Sequence, residues 1–239
     1  MKPIVVSAEE AAVRAAELYR ALLRRKPDAV LGLATGSTPL GLYAQLVALY
    51  RAGEISFAQA TSFNLDEYVD LPPTHDQSYR YFMEKNLFSQ IDLPQARIHV
   101  PSGLDVSEAA LAAYDEAIEA AGGIDLQLLG LGGNGHIGFN EPGTPFALGT
   151  HVVALTERTR RDNARFFASL DEVPTHAATM GVRTVMHARA ILLLAFGRAK
   201  AEALAAALTG PVTPDVPASV LQLHPDVTVF CDKEAAALL

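Results

Sequence analysis

The chain is predicted to be an α/β protein: one domain of three α/β/α layers around a mostly parallel, Rossmann-like sheet. Three observations predict this. Short apolar runs of strand length alternate with longer helical segments along the whole chain, the pattern of a parallel sheet covered on both faces. At 239 residues, 50% of them hydrophobic and 19% charged, the chain has the size and apolar content for one core. No internal repeat, low-complexity tract or linker divides residues 1–239.

The elements follow in order. After a short apolar strand at the N-terminus, Ser7-Ala8-Glu9-Glu10 has the capping-box pattern that starts a helix. Acidic residues at its beginning and Arg24-Arg25-Lys26 at its end complement the helix dipole, and Pro27 stops it. Residues 29–34 give a second strand. Thr35-Gly36-Ser37-Thr38-Pro39 then leads into a helix over 40–50, with Thr38 expected at the N-cap and Pro39 at the first helical position. Residues 61–68 read as one strand ending in Asp66 and Glu67, 71–76 as a loop, 78–88 as a helix and 97–100 as a strand. An Ala-rich helix over 107–121 ends at Gly122-Gly123, and 124–129 reads as a buried strand. Beyond it come a strand over 151–155, a helix over 160–170 and a segment, 180–186, that fits either type. A buried strand over 191–195, a helix over 200–208, a Pro-marked loop and a last strand over 227–231 complete the chain.

The formal charge of −8 argues against nucleic acid as a partner, because phosphate backbones demand dense Lys and Arg. A small phosphorylated substrate remains compatible, since it needs only a few local cations and amides. The single cysteine, Cys231, excludes an intramolecular disulfide and suits a reducing compartment. The N-terminus does not read as a signal peptide, and the longest apolar run, 190–196, is too short to span a bilayer. A cytoplasmic protein without membrane contact is expected.

Three stretches carry chemistry. The first is the loop 130–143, Gly130-Leu131-Gly132-Gly133-Asn134-Gly135-His136-Ile137-Gly138-Phe139-Asn140-Glu141-Pro142-Gly143, which follows the strand over 124–129. Its glycines permit close approach, and His136 and Glu141 are groups able to move protons. The second is Thr35–Thr38, where three hydroxyls, a flexible Gly and the free amides of a helix start suit a phosphate monoester. An ordinary strand-to-helix turn explains that spacing about equally well. The third is Asp66 with Glu67, at the expected ligand edge of the sheet. Carboxylates at a strand end more commonly open a solvated loop, but the nearby Gly-rich loop favours a site.

Other chemistries find no support. Gly130-x-Gly132-x-x-Gly135 matches the dinucleotide fingerprint letter for letter, yet Pro142 and Pro145 oppose the helix that motif must open. The seven histidines show no metal spacing, so no metal is expected. His75, His99, His151, His176, His187 and His224 read as surface or packing residues. No G-x-S-x-G elbow is present for serine chemistry. Proton transfer by Asp, His and Glu beside an anion cradle remains.

The stretches Leu33-Ala34-Thr35-Gly36-Ser37-Thr38-Pro39, Phe63-Asn64-Leu65-Asp66-Glu67-Tyr68, Gly135-His136-Ile137-Gly138-Phe139-Asn140-Glu141-Pro142 and Leu221-Gln222-Leu223-His224-Pro225 together resemble the glucosamine-6-phosphate deaminase family. The resemblance spans residues 33 to 225. It implies conversion of glucosamine 6-phosphate and water to fructose 6-phosphate and ammonia, a step of amino-sugar catabolism, with no redox cofactor and no required metal. It implies that Asp66 moves the proton from C2 to C1, and that His136, partnered by Glu141, opens the pyranose ring. Gly36, Ser37 and Thr38 are implied to cradle the phosphate, with Arg165 and Lys200 supplying charge; the role of Asn163 stays open.

Two departures from the family pattern matter. Some members carry Asp where this chain has Asn134, which can orient the imidazole but cannot stabilise imidazolium by charge, so His136 is expected to lean on Glu141. Some members also bind an allosteric sugar phosphate through basic residues that align with His151 and Val153, so a non-allosteric enzyme is expected. Residues from about 156 to 179 are expected to form a lid. A lactonase on the same fold and a non-catalytic sugar-phosphate sensor are the alternatives. Sequence leaves open whether the chain is a monomer or a homo-oligomer, and which amino-sugar epimer it prefers.

Overall fold

The computed structural model describes residues 2–164, 167 and 169–239. Among these residues, seven parallel strands form the central sheet: β1 (Ile4–Val5), β2 (Val30–Leu33), β3 (Thr61–Asn64), β5 (Ile98–His99), β6 (Leu126–Gly130), β9 (Ile191–Ala195) and β10 (Val227–Cys231). Their order is β1-β10-β9-β6-β2-β3-β5. β2, β6 and β9 are buried along nearly their whole length, as expected of strands covered on both faces.

The chain runs from β1 through β2 and β3 to β5 in one direction across the sheet, then returns from β5 through β6 and β9 to β10. Right-handed crossovers therefore place the helices of the two passes on opposite faces. α1 (Ala8–Arg25), α2 (Leu40–Arg51) and α3 (Tyr79–Asn86) belong to the first pass. α4 (Glu108–Ala120), α6 (Val182–Met186) and α7 (Ala201–Thr209) belong to the second. On the second face, Tyr114 of α4 meets the edge of Phe63 on β3, ring centroids 5.7 Å apart. On the first, the Tyr43 hydroxyl of α2 donates to the carbonyl of Ala34. As expected, Ser7 caps α1, its hydroxyl accepting from the Glu10 amide at 3.1 Å.

A second, antiparallel sheet was not foreseen. β4 (Asp66–Tyr68), β8 (His176–Thr179) and β7 (His151–Ala154) form it in the order β4-β8-β7. Residues 61–68 are thus two strands in two sheets, broken at Leu65, and the strand expected over 151–155 belongs to the smaller sheet. Tyr68, Phe139, Leu155 and Ala177 form its separate small core.

Two further expectations need correction. Thr38 does not cap α2: Pro39 holds the cap position with helical angles, and no side chain bonds the helix start. The chain enters through a tight turn, Leu40 N–H to Ser37 O at 3.4 Å, which takes over that part. The helix expected over 160–170 is α5 (Glu157–Asn163), begun earlier because the Thr156 hydroxyl accepts from the Thr159 amide at 3.2 Å. The segment 180–186 resolves into α6. As expected from the prolines, no helix opens after Gly135; the next one is α5.

Candidate active site

β2 and β6 are neighbours in the sheet, but the chain leaves β2 towards β3 and leaves β6 towards β9. Such a reversal opens a crevice at the carboxyl ends of the strands, where open α/β sheets place ligands. Residues 35–38 follow β2 there and residues 131–143 follow β6. The chain reaches Asp66 two residues beyond the end of β3.

Asp66 is 6% exposed and sits opposite Thr179 in the β4–β8 pair. Its Oδ2 lies 3.5 Å from the point where a Cβ on Gly138 would stand, so the carboxyl abuts the Gly-rich loop. Burial, reinforced by the charge of Glu67, pushes its pKa up to about 8.

Glu67 points to the other face of the strand and performs a structural task. It accepts the backbone amides of Tyr68 (2.9 Å), Tyr79 (2.8 Å) and Arg80 (2.9 Å), closing the first turn of α3. Burial raises its pKa against these three bonds. The two adjacent carboxylates are neither equivalent nor a solvated loop.

His136 and Glu141 lie together, with Nδ1 3.7 Å from Oε2. Asn134 Nδ2 donates to that same Oε2 at 2.7 Å, while Asn134 Oδ1 accepts from the His136 backbone amide at 3.2 Å. Asn134 therefore holds the carboxylate and the loop backbone, not the imidazole ring, which corrects the expected ring-orienting role. Oε1 of Glu141 accepts from the hydroxyls of Thr159 and, at 3.2 Å, Thr156. Burial alone would raise the Glu141 pKa; His136, Thr159 and Asn134 outweigh it and hold the carboxylate down at about 2.

The histidine ring has its own support. A Cβ on Gly132 would stand 2.4 Å from three of the ring carbons of His136, so the imidazole lies face-on against the glycine backbone. The loop is anchored on its other side. The Asn140 side-chain amide donates to Ile137 O (2.8 Å) and Met180 O (2.9 Å), and the Phe139 amide donates to Thr179 Oγ1 at 3.1 Å. The Phe139 ring packs 5.7 Å from that of Tyr68.

In the first loop Gly36 adopts φ of 96°, the left-handed region that glycine favours, and Ser37 is exposed. A cleft of about 500 Å³ beside it is lined by Ser37, Thr38 and Gln45, with Glu9 of α1 and Phe196 beyond β9. That cleft does not reach Asp66, His136 or Glu141. Lys200 is half-buried at the cap position of α7. Arg165 lies outside the described residues, as does the side chain of Asn163. Among the described residues, no three His, Cys, Asp or Glu side chains are grouped as a metal site.

Sequence reading missed Gly132, Thr156, Thr159 and Thr179. A Thr-x-x-Thr spacing at 156 and 159, both candidates for a helix start, was the available signal for two of them.

The fold is that of an open, mostly parallel α/β protein whose strand-end crevice gathers Asp66 and the loop bearing His136 and Glu141. The chain belongs to the family of glucosamine-6-phosphate isomerases/6-phosphogluconolactonase, whose profile matches residues 5–230. It is 52% identical over 237 residues to a glucosamine-6-phosphate deaminase of Thermoanaerobacter pseudethanolicus, covering 99% of this chain and 94% of that one. It is 56% identical over 219 residues to a deaminase of the same name from Lachnoclostridium phytofermentans, covering 91% and 93%. A solved monomeric glucosamine-6-phosphate deaminase superposes with a TM-score of 0.97 at 46% identity over the whole of both chains. A 6-phosphogluconolactonase from Trypanosoma brucei, with a TM-score of 0.76 and 20% identity over 100% and 99% of the two chains, shares the fold.

The buried Asp66 carries a stability consequence. Folded, it keeps its proton up to about pH 8, whereas the unfolded chain releases it in the ordinary carboxylate range. Between those limits the folded state binds more protons, so stability falls as pH rises. Asp66→Asn is expected to raise Tm at neutral pH by a few degrees, at about 2–4 °C per kcal/mol for a chain of this size. The gain should vanish in acid below the carboxylate range; thermal unfolding at both pH values checks it, and an equal shift at each would contradict it.

Proposed function

We propose that the chain converts glucosamine 6-phosphate and water to fructose 6-phosphate and ammonia, by aldose–ketose isomerisation with deamination. The observation that carries this reading is that Asp66 abuts, at Gly138, the loop bearing the His136–Glu141 pair at the switch point between β2 and β6. The deaminases of that name, more than 50% identical across nearly the whole chain, support it. The lactonase reading is not favoured, because such proteins share the fold at only about 20% identity.

In this reading His136, steadied by Glu141, moves the proton between the ring oxygen and the C1 hydroxyl, and the pyranose opens. Glu141 stays ionised through the cycle, as its low pKa requires. Asp66 takes the C2 proton of the open aldehyde and returns it to C1 through an enediol-type intermediate bearing nitrogen at C2. The resulting C2 imine takes up water and loses ammonia. With its pKa near neutrality, the ionised fraction of Asp66 takes the C2 proton and the acid form so produced returns it to C1. Gly36, Ser37 and Thr38 would bind the phosphate at the start of α2, with Arg165 and Lys200 adding charge. Asn134 would serve the ring-opening step by fixing Glu141.

The setting proposed is amino-sugar catabolism in the cytoplasm. Among the described residues no helix is long and apolar enough to cross a membrane. An ammonia-release assay tests the function. The wild-type chain should release ammonia from glucosamine 6-phosphate, and Asp66→Asn should lose at least about 100-fold in kcat. A silent wild type would end the reading; an active variant would end only the assignment of Asp66.

The enzyme is further proposed to be non-allosteric, since His151 and Val153 on β7 offer no strong cation pair for an effector anion. Rate curves should be hyperbolic and unchanged by N-acetylglucosamine 6-phosphate; sigmoidal curves relieved by that compound would contradict it.

Residues from about 156 to 175 are proposed as a lid, with 176–179 held in β8. Arg160 ties its ends together, donating to Leu170 O at 2.9 Å and Val173 O at 3.1 Å. Protease cleavage in this stretch should slow when a substrate analogue is bound; unchanged cleavage would remove the lid.

A further inference from the structure

We infer that Thr159 is a positioning residue for the Glu141–His136 pair, clamping the carboxylate from α5 on the side away from the Gly-rich loop. The inference rests on the roles proposed above for Glu141 and His136. Glu141 divides its two oxygens between two parts of the fold. Oε2 belongs to the loop, where it takes the Asn134 amide at 2.7 Å and faces His136 Nδ1 at 3.7 Å. Oε1 belongs to α5, where it takes the Thr159 hydroxyl, with Thr156 Oγ1 at 3.2 Å.

Thr159 has one hydroxyl proton, and it goes to Glu141. The single proton of Thr156 serves either Glu141 Oε1 or, at 3.0 Å, Thr159 Oγ1, while Thr156 Oγ1 accepts the Thr159 backbone amide. The hydroxyls that start α5 are thus the ones that hold the carboxylate. Thr159 is 5% exposed, so its hydroxyl has little access to water as a substitute partner. A second contact joins the same two parts, since the Arg158 guanidinium reaches within 2.9 Å of where a Cβ on Gly133 would stand.

A carboxylate held at one oxygen turns easily about its last torsion, which is broad and shallow. Held at both, it presents one fixed oxygen to the imidazole. Losing Oε1 from α5 therefore disturbs ring opening, while the phosphate anchors at Gly36–Thr38 are untouched. The ionisable group facing Glu141 is His136 from its own loop; the groups facing it from α5 are the Thr156 and Thr159 hydroxyls, and Arg158 lies over Gly133.

The test is Thr159→Val and Thr159→Ser in the full chain, assayed by ammonia release from glucosamine 6-phosphate. Thr159→Val should lower kcat about 10-fold or more, the worth of one hydrogen bond to a charged group. KM should stay within about twofold. Thr159→Ser should recover most of kcat. On a Glu141→Gln background Thr159→Val should add no further loss, which separates the clamp from a folding defect. Wild-type kcat in Thr159→Val, a serine variant as slow as the valine one, or an additive loss with Glu141→Gln overturns the inference. A wild type that releases no ammonia overturns the functional reading, and this inference with it.

Discussion

The backbone of Leu65 belongs to both sheets. Its N–H donates to Leu33 O at 3.0 Å and so continues the pairing of β3 with β2, while its carbonyl accepts from the Met180 amide at 2.6 Å at the end of β8. Leu65 is 2% exposed, so neither group has water as an alternative partner, and both bonds must be made within the protein. One residue thus carries the chain from the rigid parallel sheet into the antiparallel one. Asp66 follows at once, held opposite Thr179. Thr179 in turn receives the Phe139 amide, and the carbonyl of Met180 receives the Asn140 side chain. The distance between Asp66 and the loop that carries His136 therefore rests on a short chain of buried hydrogen bonds that begins at Leu65.

Three carboxylates near this junction are almost wholly buried: Asp66 at 6% exposed, Glu67 at 3% and Glu141 at 5%. The fold treats each differently. Glu67 receives three backbone amides and stabilises a helix start. Glu141 receives one amide and two hydroxyls beside an imidazole, and stays ionised. Asp66 gains no such compensation for its burial beside a second acidic group, and so keeps its proton. Two carboxyl groups with their pKa values pushed apart make a natural division between a group that carries a proton and a group that holds charge. The arrangement also costs stability, because a desolvated acid is retained where an amide would fold better.

Much of the fold was legible in the sequence because its central strands are short, apolar and separated by helices with clear caps and stops. The buried runs at 30–33, 191–195 and 227–231, and the helices capped by Ser7, Ser78 and Ser107, needed only local rules. The break at Leu65 was not legible. A run such as Thr61 to Tyr68 keeps extended backbone on both sides of the break, and alternation says nothing about which sheet a strand joins. For the same reason nothing in the sequence shows that the strand expected over 151–155 joins a second sheet. In the site, Asp66, His136 and Glu141 stood out because their types and spacing are unusual. Glu67 and Asn134 were visible but misread, since their partners, the amides of α3 and the carboxylate of Glu141, are chosen by tertiary folding. Thr159 was missed because a threonine in a polar helix looks like a surface residue until its hydroxyl is seen to be buried.

The glycines of the loop 130–143 change meaning in the same way. In sequence they suggest a backbone bared for a ligand. At Gly132 the space left by the missing Cβ is filled by the His136 ring itself, so that glycine makes room for the imidazole. An alanine there would drive a methyl group into the imidazole face and turn the ring away from Glu141. The glycine backbone thus limits the ring on one side, the carboxylate faces its Nδ1 on another, and the carboxylate is fixed by Asn134 from the loop and by Thr159 from α5. The imidazole is bounded by backbone and carboxylate, with its Nδ1 3.7 Å from Glu141 Oε2. This explains how a loop so rich in glycine, with every reason to be flexible, holds its one histidine in one place.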